Sequence, residues 1–219
     1  SVWAKPAKFS LSFTVHFATL AIIVSALSEQ SRNRHSIAIA GGVMAVAYLA
    51  EMAYLFFQAA QAEHSHFNFS TPFHTTMYSL MGLGAVLLIG MPIVVAWAAR
   101  CDSAISPATK AGIWWGALTS FALTLVTASY LSDQGGHFVG IPSDPSRVLP
   151  VLGWSTEVGD LRPAHFLSLH ALQILPLIGL WIDRTGSSIA IIKPFAAAYA
   201  LLSFAVLGQS LLGLPLISM

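Results

Sequence analysis

Residues 72–99 read PFHTTMYSLMGLGAVLLIGMPIVVAWAA, a run without a single Asp, Glu, Lys or Arg. A helix rises about 1.5 Å per residue and a bilayer core is about 30 Å thick, so roughly 20 such residues suffice to cross it. The run therefore predicts a membrane-spanning helix. Five further apolar runs of spanning length accompany it, at 9–27, 36–60, 111–131, 164–182 and 189–212. Unpaired backbone is untenable in lipid, so all six are expected to be helices. A porin-like barrel would instead show alternating segments of about ten residues. The expected fold class is all-α: a polytopic transmembrane helical bundle of about six spans. It forms one domain over residues 1–219, with a longer extramembrane loop at about 132–163.

Composition agrees. The chain is 56% hydrophobic and 9% charged, whereas about a quarter of a soluble domain is charged. A formal net charge of +1 offers no basic surface for nucleic acid. Cys101 stands alone, which excludes an internal disulfide, a thiolate cluster and a redox pair. Lys5 and Lys8 resemble the basic region of a signal peptide. However, the run at 9–27 is of spanning length with no A-x-A-like site after it, so a retained first helix is expected.

The first, third and fifth connections carry Arg32, Arg34, Arg100, Lys110, Arg184 and Lys193, while the second, 61–71, has neither Lys nor Arg. The fourth sets Arg147 and Arg162 against Asp133, Asp144, Glu157 and Asp160. The positive-inside rule then places the odd connections in the cytoplasm and both termini in the periplasm, although Lys5 and Lys8 oppose that orientation. Gly112 and Gly116 form a G-x-x-x-G that predicts close helix packing. Pro92, Pro176 and Pro194 predict kinks.

Threaded this way, the chain gathers its polar residues at one end. Of the eight histidines, only His35 falls at the opposite end. Glu51, Tyr54, Gln58 and Gln61 share one face of the second span. Ser12, His16 and Thr19 do so on the first, Ser120, Thr124 and Thr127 on the fourth, and His170 and Gln173 on the fifth. The pattern predicts a polar vestibule open at one end and sealed at the other. A buried acid costs about 2.5–3.5 kcal/mol to insert and usually marks function. Glu51, with Tyr54, is therefore the candidate for proton handling or substrate orientation; a protonated Glu51 bonded to a Tyr or Ser of a neighbouring helix accounts for it equally well without a function.

His64 and His66 are two residues apart, so an extended backbone would point both imidazoles the same way, and imidazole suits Zn, Cu, Fe and Ni. With His137, His165, Asp133 and Asp160 they form the candidate metal set. Hydrogen bonding at the interface, or capping of the third span by Asn68 and Ser70, accounts for the same residues without a metal. His165 and His170 are too far around a helix to chelate one ion together. A b-type haem needs two imidazoles at similar depth; His16 and His170 meet that condition, with Gln173 beside His170, and His74 could substitute for one of them.

Two stretches, Ser65–Phe73 and Leu152–Gln173 (with Gly153-Trp154-Ser155-Thr156, Asp160-Leu161-Arg162, His165-Phe166 and His170-Ala171), resemble motifs of an uncharacterised family of bacterial polytopic inner-membrane proteins. The resemblance implies a bacterial inner membrane and carries no activity. Three functions follow from the residues. The first is a metal-ion (Fe, Cu or Zn) or haem b protein with its site at the periplasmic face, for redox or metal-assisted chemistry on a small or lipid-soluble substrate, as in a membrane oxidoreductase. The second is a proton-coupled transporter or channel using Glu51. The third is a non-catalytic subunit of a respiratory or photosynthetic complex, bound to partner subunits in the lipid bilayer.

Overall fold

The computed structural model describes residues 2–218. Six helices among them are long and apolar enough to cross a membrane. In chain order they are α1 (Ala4–Ala26), α3 (His35–Ala60), α4 (Pro72–Arg100), α5 (Pro107–Asp133), α6 (Arg162–Thr185) and α7 (Ile192–Leu211). A single turn, α2 (Glu29–Arg32), links the first two, and a 3₁₀ turn at Ile189–Ile191 leads into α7. The protein is an all-α polytopic bundle whose outer faces carry Leu11, Ile22, Val46 and Leu201 to the lipid. Pro92 and Pro176 lie inside helices. Pro194 falls in the first turn of α7, where the break expected of it is taken up by the preceding 3₁₀ turn.

Glycine decides the closest packing. A Cβ on Gly112 would overlap the Leu175 carbonyl, one on Gly179 would overlap the Ala108 carbonyl, and one on Gly116 would stand 3.0 Å from the Ala171 oxygen. So α5 and α6 touch backbone to backbone, the most intimate pair in the bundle. Asp183 of α6 then closes the start of α5. Its carboxylate accepts from the Ala108 and Thr109 N–H groups at 3.1 and 2.7 Å and from the Ser106 and Thr109 hydroxyls. These are N–H groups the helix itself leaves unpaired.

The largest apolar cluster fills the end of the bundle that carries the short connections. It joins Leu20, Ile23 and Leu27 of α1 to Met44 and Ala47 of α3, Leu88 and Val95 of α4 and Ile113 of α5. At the other end the long connection is pinned in place. Strands β1 (Phe138–Val139) and β2 (Gly159–Asp160) pair antiparallel, with Phe138 opposite Asp160. The buried Asp160 accepts from Ser155 N–H at 2.9 Å and from the Arg162 guanidinium, which also reaches the Gly153 carbonyl. Ser210 of α7 donates to the Asp160 backbone oxygen.

The second and fourth connections share one end with the start of α1. Lys8 Nζ donates to the Leu152 carbonyl at 2.9 Å. Phe9 meets the His66 ring edge-on at 5.5 Å, and the Tyr78 hydroxyl lies 3.1 Å from Ser132 Oγ. This is the histidine end; the other is the basic end.

Candidate functional site

The polar face expected on α3 exists, and α4 completes it. Glu51, Tyr54 and Gln58 are all buried, at 5%, 4% and 0% exposure. The Tyr54 hydroxyl lies 3.0 Å from His74 Nδ1, and the other ring nitrogen, Nε2, lies 3.5 Å from the Glu63 carboxylate. A carboxylate can only accept, so Glu63 favours the tautomer with hydrogen on Nε2, leaving Nδ1 to accept from Tyr54. Gln58 Nε2 donates to the His64 carbonyl at 2.9 Å and stands at 3.4 Å from the same Nδ1. Tyr54, His74 and Glu63 therefore form a continuous chain from the buried face of α3 to a half-exposed carboxylate at the surface.

Sequence reasoning placed His74 only as a spare haem ligand and gave Glu63 no role. The available signal was the Thr71-Pro72 start of α4: the Thr71 hydroxyl accepts from the His74 N–H at 3.2 Å and fixes the first turn. Thr71 does this, and not the expected Asn68 or Ser70, because Asn68 is turned back to the His64 carbonyl and to Ser70.

One turn below Tyr54, Glu51 Oε1 is buried without a hydrogen-bond partner. Its carboxyl packs on Gly84 of α4, where a Cβ would come within 3.0 Å of that oxygen. The Lys5 ammonium lies at the histidine end, 5.9 Å from the centre of the Phe9 ring. Toward the basic end, Tyr48 is clamped between Phe13 and Phe17, at 5.0 and 5.4 Å. Below that plug lies the large apolar cluster.

Glu51 is not the only orphan. His16 Nε2, Thr124 Oγ1 and Gln173 Oε1 are also buried and unpartnered. Each of the four residues lies about 9–12 residues, roughly 14–18 Å at 1.5 Å per residue, from the histidine end of its helix. Four helices thus present unmet polar atoms at similar distances from their histidine ends. Buried polar atoms normally find a partner, so each such exception calls for an explanation. Gln173 reaches α1 through a 3.2 Å bond to Thr19, one turn from His16.

The candidate metal residues are dispersed. His64 is exposed, while His66 lies partly covered under Phe9 and bonds Ser65 Oγ at 3.1 Å. The extended run expected there is not formed, because residues 65–67 make a bend that ends at Phe67, φ 56°. His137 packs on Phe138 at 4.4 Å. His165 turns toward α5, with Nδ1 3.1 Å from Thr127 Oγ1. Asp133 is exposed at the end of α5, and Asp160 spends its oxygens on Arg162 and Ser155. His170 packs against Phe166 with ring centres 4.1 Å apart and the planes tilted by 56°. Among the described residues, no three His, Cys, Asp or Glu side chains gather closely enough to hold one metal ion.

Two of these imidazoles are held neutral. Burial, and then the Lys5 charge, lower His66 to about 3. Burial, and then the Arg162 charge, lower His137 to about 4.

No protein-family model, curated protein or solved structure matches the chain.

Proposed function

We propose that this membrane bundle moves protons between its histidine end and the buried Glu51, as a proton-coupled carrier or channel. The observation that carries the reading is the Tyr54–His74–Glu63 chain ending one helical turn from an unpartnered, buried carboxyl oxygen. The imidazole first exchanges to the tautomer with hydrogen on Nδ1, which frees Nε2 to take a proton arriving at Glu63. The Nδ1 hydrogen then goes to the Tyr54 oxygen as Tyr54 passes its own to Glu51 Oε1. The transfer leaves His74 again with hydrogen on Nε2 and Tyr54 again a phenol, so Glu51 alone gains a proton, and no oxidant or reductant is needed. The aromatic plug at Tyr48 and the apolar cluster beyond it leave Glu51 reached from one side only, as alternating access requires.

The resemblance noted in the sequence suits a bacterial inner membrane, and the cations of the short connections favour a periplasmic histidine end. The test is proton uptake into proteoliposomes under an imposed pH step. Glu51→Gln should abolish it, and an unchanged rate in that variant would refute the reading.

A second reading, haem or a transition metal on His16, rests on that residue's open, buried Nε2. Metal analysis and an absorption spectrum of the purified protein test it.

A further inference from the structure

At the basic end, the start of α3 and the end of α4 form an open groove of about 270 Å³, lined by Arg34, Ser36, Ile93, Val94, Trp97 and Ala98. Its chemistry is divided. Arg34 and Ser36 stand at one side, while α4 supplies the apolar wall. Trp97, more than half exposed, packs edge-on against Trp114 at 5.6 Å, and the Arg100 guanidinium lies 5.1 Å from the Trp114 ring centre. Such a Trp–Arg arrangement belongs at a headgroup boundary.

Charge is unbalanced here. Among the described residues Arg34 makes no ion pair; the three that occur join His74 to Glu63, Arg147 to Glu157 and Arg162 to Asp160. Asp102, the buried carboxylate nearby, is already taken by Ser28 N–H and Oγ and by Ala104 N–H, which hold it well below the usual carboxylate range. Asp183 is committed to α5. Of the acids at this end only Glu29 stays open, against Arg32, Arg34, Arg100, Lys110, Arg184 and Lys193.

We propose that this groove binds the phosphate headgroup of an anionic phospholipid from the surrounding leaflet. Arg34 pairs with the phosphate and Ser36 Oγ donates to it. The glycerol region lies on Ile93, Val94 and Trp97, and an acyl chain follows the exposed α3 ridge at Ile39 and Val46. A basic pocket between spanning helices, opening at the headgroup level, is the setting in which such lipids are recognised. The guanidinium fork suits a phosphate oxygen pair. The proposal is independent of any role for Glu51.

Native mass spectrometry of the purified protein, titrated with short-chain phosphatidylglycerol or phosphatidylcholine, tests it. Phosphatidylglycerol should bind more tightly. Arg34→Gln should weaken that binding about tenfold, the scale of one charge-assisted hydrogen bond, and Arg34→Lys should restore part of it. Val94→Trp, which fills the apolar side, should also remove binding, with an unchanged melting temperature showing that the fold is intact. Lys110→Gln should leave it within about twofold, since general attraction by one more cation is weak. Equal affinity for the two lipids, or an unchanged affinity in Arg34→Gln, would overturn the proposal. So would an equal loss in Lys110→Gln, or displacement of the lipid by the same concentration of inorganic phosphate.

Discussion

Tyr54 and His74 meet across the seam between α3 and α4, with the phenol oxygen 3.0 Å from Nδ1. The contact links a residue buried in the bundle to Glu63 at the surface, since the opposite ring nitrogen faces that carboxylate. Tyr54→Phe removes the hydroxyl and little volume. It should slow proton uptake by at least about tenfold, in line with the 10²–10⁴-fold usually supplied by a positioned proton-transfer group, with little change in melting temperature. A transport rate within twofold of wild type would take Tyr54 out of the path.

Gly84 gives Glu51 its space. A methyl group there would press on Oε1 from 3.0 Å, so Gly84→Ala should slow uptake while the bundle stays folded. Gly82, two residues away with nothing within 4 Å of its would-be Cβ, is the control, and Gly82→Ala should transport normally.

The α5–α6 contact should tolerate nothing larger than glycine. Gly112→Ala and Gly179→Ala each drive a methyl group into a carbonyl. Overpacking of this kind costs about 1–3 kcal/mol, sometimes more. Gly41→Ala meets open space and should be neutral or slightly stabilising, because alanine is the better helix former. Thermal denaturation in detergent separates the two outcomes.

Acidification should loosen the histidine end. His66 and His137 sit at about 3 and about 4 in the folded protein, against about 6.5 for a free imidazole. Between those values the unfolded chain binds more protons than the folded one, so stability is complete above pH 6.5 and falls as pH drops toward 4. His66→Asn and His137→Asn should each flatten the fall in melting temperature between pH 7 and 4.5. Slopes equal to wild type would show that neither imidazole is buried as described.

Much of this is legible in the sequence. Apolar run length gave all six spans to within a few residues, because the bilayer imposes one length on every helix. The Gly112/Gly116 spacing announced a close contact, and the i, i+3, i+4 spacing on α3 announced a polar face carrying Glu51 and Tyr54. The partner of that face was not legible. It depends on the register between α3 and α4, which no local pattern encodes, so His74 and Glu63 stayed without a role. The alternation of an extended chain also predicts His64 and His66 on one side, whereas residues 65–67 bend, His64 stays exposed and His66 tucks against Phe9. For Asp160 the Asp-Leu-Arg spacing offers a pair with Arg162 beside the metal reading, and the fold takes the pair and adds the Ser155 N–H.

Asp160 should prove structural. It is buried beneath Arg162, and removing one member of a buried pair costs about 3–5 kcal/mol. Asp160→Asn should therefore expose the 140–158 segment to protease without removing Glu51-dependent proton uptake.

The most direct measurement is the infrared carboxyl band of Glu51 after a rapid acid step applied to the protein in lipid. The account predicts a protonated-carboxyl band that is absent in Glu51→Gln and rises more slowly in Tyr54→Phe. A spectrum unaltered by Glu51→Gln, or a band that rises at the same rate without the Tyr54 hydroxyl, would contradict it.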